Sequence, residues 1–211
     1  MVQEQSPIIH IVDDDAGMRK SLAMLIQSAG LPFQSHDSAE QFLREADLEA
    51  PGCIVLDLRM PGMSGIELLQ HLRAQMVETP VILISAHADV AIAVHAMKLG
   101  AIDLLQKPVE PRVLIETVRG SLELSLAMRR RRCDDELIRQ RFRALTPRES
   151  ELIKLIVDGR SNKQIALQMG ISIKTVANHR ASLMTKTGAS NAADLARLYT
   201  ISETATLSAA G

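Results

Sequence analysis

Through the first 120 residues, short apolar runs alternate with stretches whose apolar residues recur three and four positions apart. The runs are IIHIV (8–12), PFQSH (32–36), CIVLD (53–57), VILIS (81–85) and DLLQ (103–106), the second being the weakest. Such short runs, bounded by turn residues, read as strands with little exposed face. Between them Leu22, Leu25 and Ile26, then Ile66, Leu69 and Leu72, each mark the inner face of a helix. Strand and helix in alternation predict consecutive βαβ units and therefore a doubly wound α/β sheet. Ligands of such sheets bind outside the carboxyl ends of the strands, so chemistry is to be sought there.

After residue 120 the pattern changes. SLELSLAMRRRRCDDELIRQRFRAL has few helix breakers and carries the preceding helical pattern into a charged region, so 121–144 is expected to be a helical linker. Its RRRR run (129–132) reads as a solvated helix face, with direct DNA contact as the alternative. Three cap signals follow. Thr146-Pro147-Arg148-Glu149 is a capping box with proline at the first helical position, Ser161 precedes NKQIALQM, and Ser172 precedes IKTVANHRASLMTKT. Residues 145–211 are thus expected to form four short helices, the last starting near Asn191, with SETATLSAAG as a disordered tail.

A chain of 211 residues accommodates two domains, 1–120 and 145–211. Hydrophobic residues at 46% and charged residues at 23% are a globular balance. No apolar run approaches the ~18 residues of a membrane span, and MVQEQSPIIHIV does not have the form of a signal peptide. A cytoplasmic protein with no membrane partner is expected. Cys53 and Cys133 fit a reducing compartment, one as a core thiol and one as an exposed thiol. The net charge of −1 conceals an asymmetry: residues 1–120 hold 9 basic and 16 acidic residues, 121–144 hold 7 and 4, and 145–211 hold 8 and 5. An acidic first half joined to a basic second half implies two tasks, with a polyanion as a partner for the second.

At the strand ends the candidate chemistry gathers. Asp13 and Asp14 close the first run, Asp57 the third and Ser85 the fourth, while Lys107 follows the fifth. Converging carboxylates repel one another unless a cation joins them, and hard oxygen ligands suit Mg²⁺. Asp15, which opens the next helix, reads as its cap. Acids at strand ends are common helix caps, but Asp57 leads into LRMPGMSG, a Pro/Gly loop with no helix to cap at that point.

VDDD, VLDLRMPGMSG, LISAHAD and LLQKPV, in that order, resemble the receiver domains of two-component response regulators over roughly residues 6–125. The resemblance implies a flavodoxin-like fold with strand order 2-1-3-4-5 and Asp57 as phosphoacceptor. It further implies Mg²⁺ bound by Asp14, Asp57 and the backbone carbonyl of Arg59, with Asp13 acting through water. Ser85 and Lys107 would contact phosphoryl oxygens, and Lys107-Pro108 would be a cis bond. Leu104 stands where the family generally has an aromatic switch residue, and Arg59 and His87 stand where the family varies its phosphoryl lifetime. The segment ADVAIAVHAMKLGA is apolar nearly all round, as a helix with a partner face, or one closely packed against a neighbouring helix, would be.

The second half, LTPRESELIKLIVDGRSNKQIALQMGISIKTVANHRASLMTKTGA, resembles the helix-turn-helix output domain of the LuxR and FixJ type. Leu152, Leu155, Ile156, Ile165, Ala166, Met169, Val176 and Leu183 read independently as its core, with Gly170 at the turn. Lys174, Ala177, Asn178, Ala181 and Ser182 remain as an outward stripe. Asn178 suits an adenine edge, and Ala177 and Ala181 suit thymine methyls. Lys163, Lys174, Thr175, His179, Arg180 and Lys186 are placed for phosphates. The reading is a transcription regulator rather than an enzyme: a sensor histidine kinase phosphorylates it, and a homodimer then engages a two-fold operator and RNA polymerase. Two rivals are a phosphate-independent DNA-binding protein and an aspartyl-phosphate phosphatase. The intact set of Asp13, Asp14, Asp57, Ser85 and Lys107 argues against the first. Against the second stands Arg59, where such phosphatases commonly carry an aspartate.

Overall fold

A computed structural model describes residues 6–86 and 90–208, with side chains as far as Thr204. Five parallel strands, β1 (Ile8–Val12), β2 (Phe33–His36), β3 (Gly52–Asp57), β4 (Val81–Ser85) and β5 (Asp103–Gln106), form one sheet in the order β2-β1-β3-β4-β5. They alternate with α1 (Ala16–Ser28), α2 (Ala39–Glu45), α3 (Gly65–Ala74), α4 (Val90–Lys98) and α5 (Pro111–Arg143). The expected doubly wound α/β fold is the one found.

Alternation along the strands divides the core into two layers. Ile54 and Leu56 of β3 join Val12, Phe42, Leu69, Leu72 and Leu83 on the side of α2 and α3. Cys53 and Val55 join Ile9, Ile11, Leu22, Ile26, Leu114 and Val118 on the side of α1 and α5. Every residue of β3 is buried, which is why the central strands read as unbroken apolar runs. Truncating a side chain such as Leu56 to alanine would cost about 2–5 kcal/mol.

Helix α5 is 33 residues long, and its buried stripe runs through Leu114, Val118, Ser121, Leu122 and Ser125. The Ser125 hydroxyl accepts the Gly52 N–H at 2.9 Å, and Arg129 donates to the Glu49 carbonyl. The chain divides into two units between Arg129 and Arg130, inside the segment expected as a linker and beyond the expected receiver limit at residue 120. In the second unit α6 (Pro147–Val157), α7 (Asn162–Met169), α8 (Ile173–Thr187) and α9 (Ala192–Ser208) enclose a separate core that includes Leu152, Ile165, Val176, Leu183 and Leu195. Thr146 and Ser161 complete reciprocal capping boxes with Glu149 and Gln164, and Ser172 caps α8.

The tail departs from expectation. Helix α9 continues through Ser208, so most of SETATLSAAG is helical. A terminal segment is expected to be disordered, but no glycine or proline falls between Gly188 and Gly211, and the hydroxyls bond back to the preceding turn. Ser202 Oγ donates to the Tyr199 carbonyl at 2.7 Å, and Thr204 Oγ1 to the Ile201 carbonyl at 3.0 Å. His87, together with Ala88 and Asp89 at the start of the expected apolar helix, lies outside the described residues. Among the described residues no helix is long and apolar enough to cross a membrane.

Candidate functional site: an acidic pocket and an exposed helix

β1 and β3 pair in register, Val12 opposite Leu56, so their carboxyl ends deliver Asp13, Asp14 and Asp57 to one place. One oxygen from each carboxylate lies within 4.8 Å of the others, an arrangement able to hold a metal ion. Asp13 and Asp57 are buried, whereas Asp14 is exposed. The ladder between β4 and β5 extends one residue further, with Lys107 N–H donating to the Ser85 carbonyl at 2.8 Å, and this aims the lysine inward. Lys107 Nζ lies 3.0 Å from Asp13 Oδ2 and 2.9 Å from Asp57 Oδ1. Ser85, only 2% exposed, ends β4 beside this pair.

Burial pushes the Asp57 carboxyl above its ordinary pKa; the Lys107 hydrogen bond opposes that rise and the Asp13 charge adds to it. Burial works against the Lys107 charge as well, but hydrogen bonds to Asp57 and Asp13 and their charges together outweigh it and raise its pKa. One ammonium among three carboxylates leaves the pocket short of positive charge. A hard cation fits that deficit and that donor set.

The surroundings brace these groups. Asp15 caps α1, accepting N–H groups from Gly17 at 2.7 Å and Met18 at 3.0 Å, as expected for a cap. Its own N–H donates to Asp13 Oδ1 at 2.8 Å, and Arg19 donates to the Asp13 carbonyl at 2.7 Å. After Asp57 the loop is pinned at both ends: Leu58 N–H donates to the Ile84 carbonyl and Gly65 N–H to the Leu58 carbonyl. A Cβ on Gly65 would lie 2.3 Å from the Asp57 carbonyl oxygen, so only glycine lets α3 start this close to β3. Arg59 is exposed at the beginning of this loop. Farther along, Met63 N–H donates to Glu40 Oε1 at 3.2 Å, a brace from α2 that no local motif announced. The Lys107-Pro108 bond is cis. Leu104 is half-buried against the layer that contains Val12 and Leu83.

In the second unit, Gly170 adopts a left-handed conformation with φ 66° and turns α7 into α8. Val176, Leu183 and Thr187 form the buried side of α8, while Lys174, Ala177, Asn178, His179, Ala181 and Ser182 are all exposed. Lys163 is exposed on α7. The remaining expected phosphate contacts already have partners within the fold. Thr175 Oγ1 lies 2.8 Å from Ser172 Oγ, Arg180 donates to Asn162 Oδ1 at 3.1 Å, and Lys186 donates to Glu149 Oε1 at 2.6 Å. Glu149 thereby serves two ends: its other oxygen completes the α6 capping box, and the Lys186 hydrogen bond leads the effects that hold its carboxyl down at about 2. The capping box was visible in the sequence; the lysine 37 residues away was not.

Comparison with known proteins covers both units. Residues 9–119 match the response regulator receiver domain, and 143–199 match the bacterial regulatory proteins of the luxR family. The transcriptional regulatory protein FixJ of Azorhizobium caulinodans is 42% identical over 190 residues, spanning 90% of each chain. The response regulator protein TodT of Pseudomonas putida is 34% identical over 197 residues, 93% of this chain and 87% of that one. Among solved structures, the response regulator StyR superposes with a TM-score of 0.81 at 40% identity over 92% of this chain and 98% of its own. Full-length FixJ from B. japonicum gives 0.56 at 37% identity over 94% and 98%. With both units matched in order along nearly its whole length, the chain belongs to the FixJ-type two-component response regulators, transcription regulators that join a receiver domain to a LuxR-type DNA-binding domain.

Proposed function

We propose that Asp57 is the phosphoacceptor of a cytoplasmic regulator that takes its phosphoryl group from a sensor histidine kinase, and that the phosphorylated chain dimerises to bind a two-fold DNA operator and engage RNA polymerase. The observation that carries this reading is Lys107 Nζ placed within 3.0 Å of both Asp13 and Asp57 at the carboxyl edge of the sheet. An Asp57 oxygen attacks the phosphorus of a phosphohistidine in line. The new P–O bond forms as the P–N bond breaks, and the imidazole leaves with the electron pair. Lys107 faces the charge that accumulates on the phosphoryl oxygens, and the Ser85 hydroxyl is the neighbouring donor for them. Asp13, Asp14, Asp57 and the Arg59 carbonyl are the groups to hold Mg²⁺, which when bound offsets the negative charge of carboxylates and phosphoryl group together. On the output side, Asn178 is the candidate for reading a base edge, with Ala177, Ala181 and Ser182 beside it. Lys163, Lys174 and His179, all exposed, are the candidates for contacts to the DNA backbone. Thr175 and Lys186 belong to the same face, but their bonds to Ser172 and Glu149 support a positioning role first.

Labelling with a small phosphodonor and Mg²⁺ tests the assignment. The wild-type chain is expected to gain an acid-stable, hydroxylamine-sensitive phosphate, and Asp57→Asn to gain none. Labelling of Asp57→Asn at the wild-type rate would place the acceptor elsewhere.

A further inference from the structure

The loop that follows Asp57 is tied down at its ends and along its inner side. Leu58 N–H donates to the Ile84 carbonyl at 2.9 Å and Gly65 N–H to the Leu58 carbonyl at 3.1 Å, and Leu58 and Met60 are buried in the same core layer as Ala39 and Phe42 of α2. Neither bond engages the backbone of residues 59–63. Glu40, in the first turn of α2, does so. A carboxylate at that place favours the N–H groups of its own helix, yet Glu40 Oε1 accepts the Met63 N–H at 3.2 Å, 23 residues away.

Both sides of this contact are shaped for it. Gly62 takes a left-handed conformation, with φ 74°, and a Cβ there would lie 2.9 Å from Glu40 Oε1, so glycine serves the turn and leaves room for the carboxylate at once. Ala39 and Phe42, the core residues of α2 nearest to Glu40, are wholly buried, and Ser38 caps the helix through the Gln41 N–H, so the first turn is a fixed platform. The Arg59 carbonyl, proposed above as a Mg²⁺ ligand, belongs to the stretch between the holds at Leu58 and Met63. A ligand on a free loop loses motion when the ion binds. One on a loop already held loses less, and binding is tighter for it.

We propose that Glu40 is a positioning residue for the metal site: by holding Met63 from α2 it keeps the loop after Asp57, and with it the Arg59 carbonyl, in the arrangement that takes Mg²⁺. The inference rests on the reading of the pocket as a Mg²⁺-dependent phosphoacceptor site, and it adds a residue from outside the pocket's own group of carboxylates. Glu40 acts through the loop backbone, by one hydrogen bond, and its charge is not what matters.

Amide NMR shifts of the full-length chain titrated with MgCl₂ give the dissociation constant without any phosphoryl transfer, and Asp57→Asn is the blank for Mg²⁺ bound elsewhere on the acidic unit. Glu40→Ala is expected to weaken Mg²⁺ binding by roughly twofold to tenfold, the range of one ordinary hydrogen bond. Glu40→Gln, whose amide oxygen still accepts the Met63 N–H, should stay within roughly twofold of the wild type. Labelling by a small phosphodonor should slow in Glu40→Ala at limiting Mg²⁺ and recover once Mg²⁺ saturates, a split that a general loss of stability would not give. Wild-type affinity in Glu40→Ala would overturn the assignment. So would equal weakening in Glu40→Gln, because the carboxylate charge and not the bond would then be at work. Both of those results leave the phosphoacceptor reading standing, whereas a wild-type titration that matches Asp57→Asn would remove that reading and the role of Glu40 together.

Discussion

At the scale of single residues, His10 and Glu149 each tie the stability of the fold to pH. His10 Nδ1 lies 3.2 Å from His36 Nε2 inside the first unit, and the Phe42 ring stands steeply against both imidazoles. Burial, followed by the neighbouring His36, lowers the His10 pKa from 6.5 to about 4, so the unfolded chain binds this proton more readily than the folded one. The neutral pair therefore stabilises the fold fully above pH 6.5, and that contribution is lost as pH falls from 6.5 to about 4, by up to about 3 kcal/mol. Urea midpoints across this window should fall for the wild type and fall less steeply for His10→Leu. Glu149 has the same sign in a lower range, because a carboxyl held at about 2 stabilises above 4.5 and stops doing so between 4.5 and 2. On α8 the contrast is between a planar amide and a mobile point charge. Asn178→Ala should relax preference at one base position at a cost of about 1–3 kcal/mol, whereas Lys174→Ala should weaken all sequences alike and flatten the salt dependence. Binding over a panel of single-base operator variants at several salt concentrations separates the two. If Asn178→Ala weakens every variant equally, the residue contacts backbone and specificity comes from its neighbours or from DNA shape.

At the scale of elements, the start of α3 carries the tightest constraint near the site. Gly65→Ala forces a methyl group to 2.3 Å from the Asp57 backbone oxygen, so stability should fall by about 1–3 kcal/mol and labelling of Asp57 should slow with it. Gly120→Ala is the matched control: a Cβ there meets nothing within 4 Å and sits inside α5, so a gain of about 0.5–1 kcal/mol is expected. Urea denaturation of both variants reads these opposite signs. What the sequence revealed follows the same division between local and distant causes. Strands such as VILIS were legible because both faces are buried and the apolar run is unbroken, and the caps at Thr146, Ser161 and Ser172 because the partner lies three residues away. The strand-end acids could be grouped because a doubly wound sheet brings such ends together. Bonds between elements far apart in the chain could not be foreseen: Glu40 to Met63, His10 to His36 and Lys186 to Glu149 depend on how helices and strands lie in space. Nor could the helical continuation of α9, where hydroxyls that favour loops turn back on their own helix.

For the molecule as a whole, the central question is how a charge placed in an acidic unit is felt by a basic one. The exposed apolar side chains of α4, Val90 at 80%, Val94 at 47% and Met97 at 50%, offer a surface on which two phosphorylated chains can meet. Val90→Asp should keep normal labelling and lose most of the dimer seen by sedimentation after phosphorylation; an undiminished dimer would move the interface elsewhere. Pairing would also compensate for a modest basic excess in the DNA-binding half, since two such halves on a two-fold operator double the phosphate contacts. The reach of Lys107 across 94 residues to Asp13 has a consequence for the birth of the protein. Strand β5 is the last of the five to be synthesised, and until it docks, the three aspartates have no lysine among them. A chain still on the ribosome thus carries the three aspartates early but lacks the lysine that lies among them. Under the function proposed for Asp57, competence to receive a phosphoryl group would arrive only when the sheet is finished.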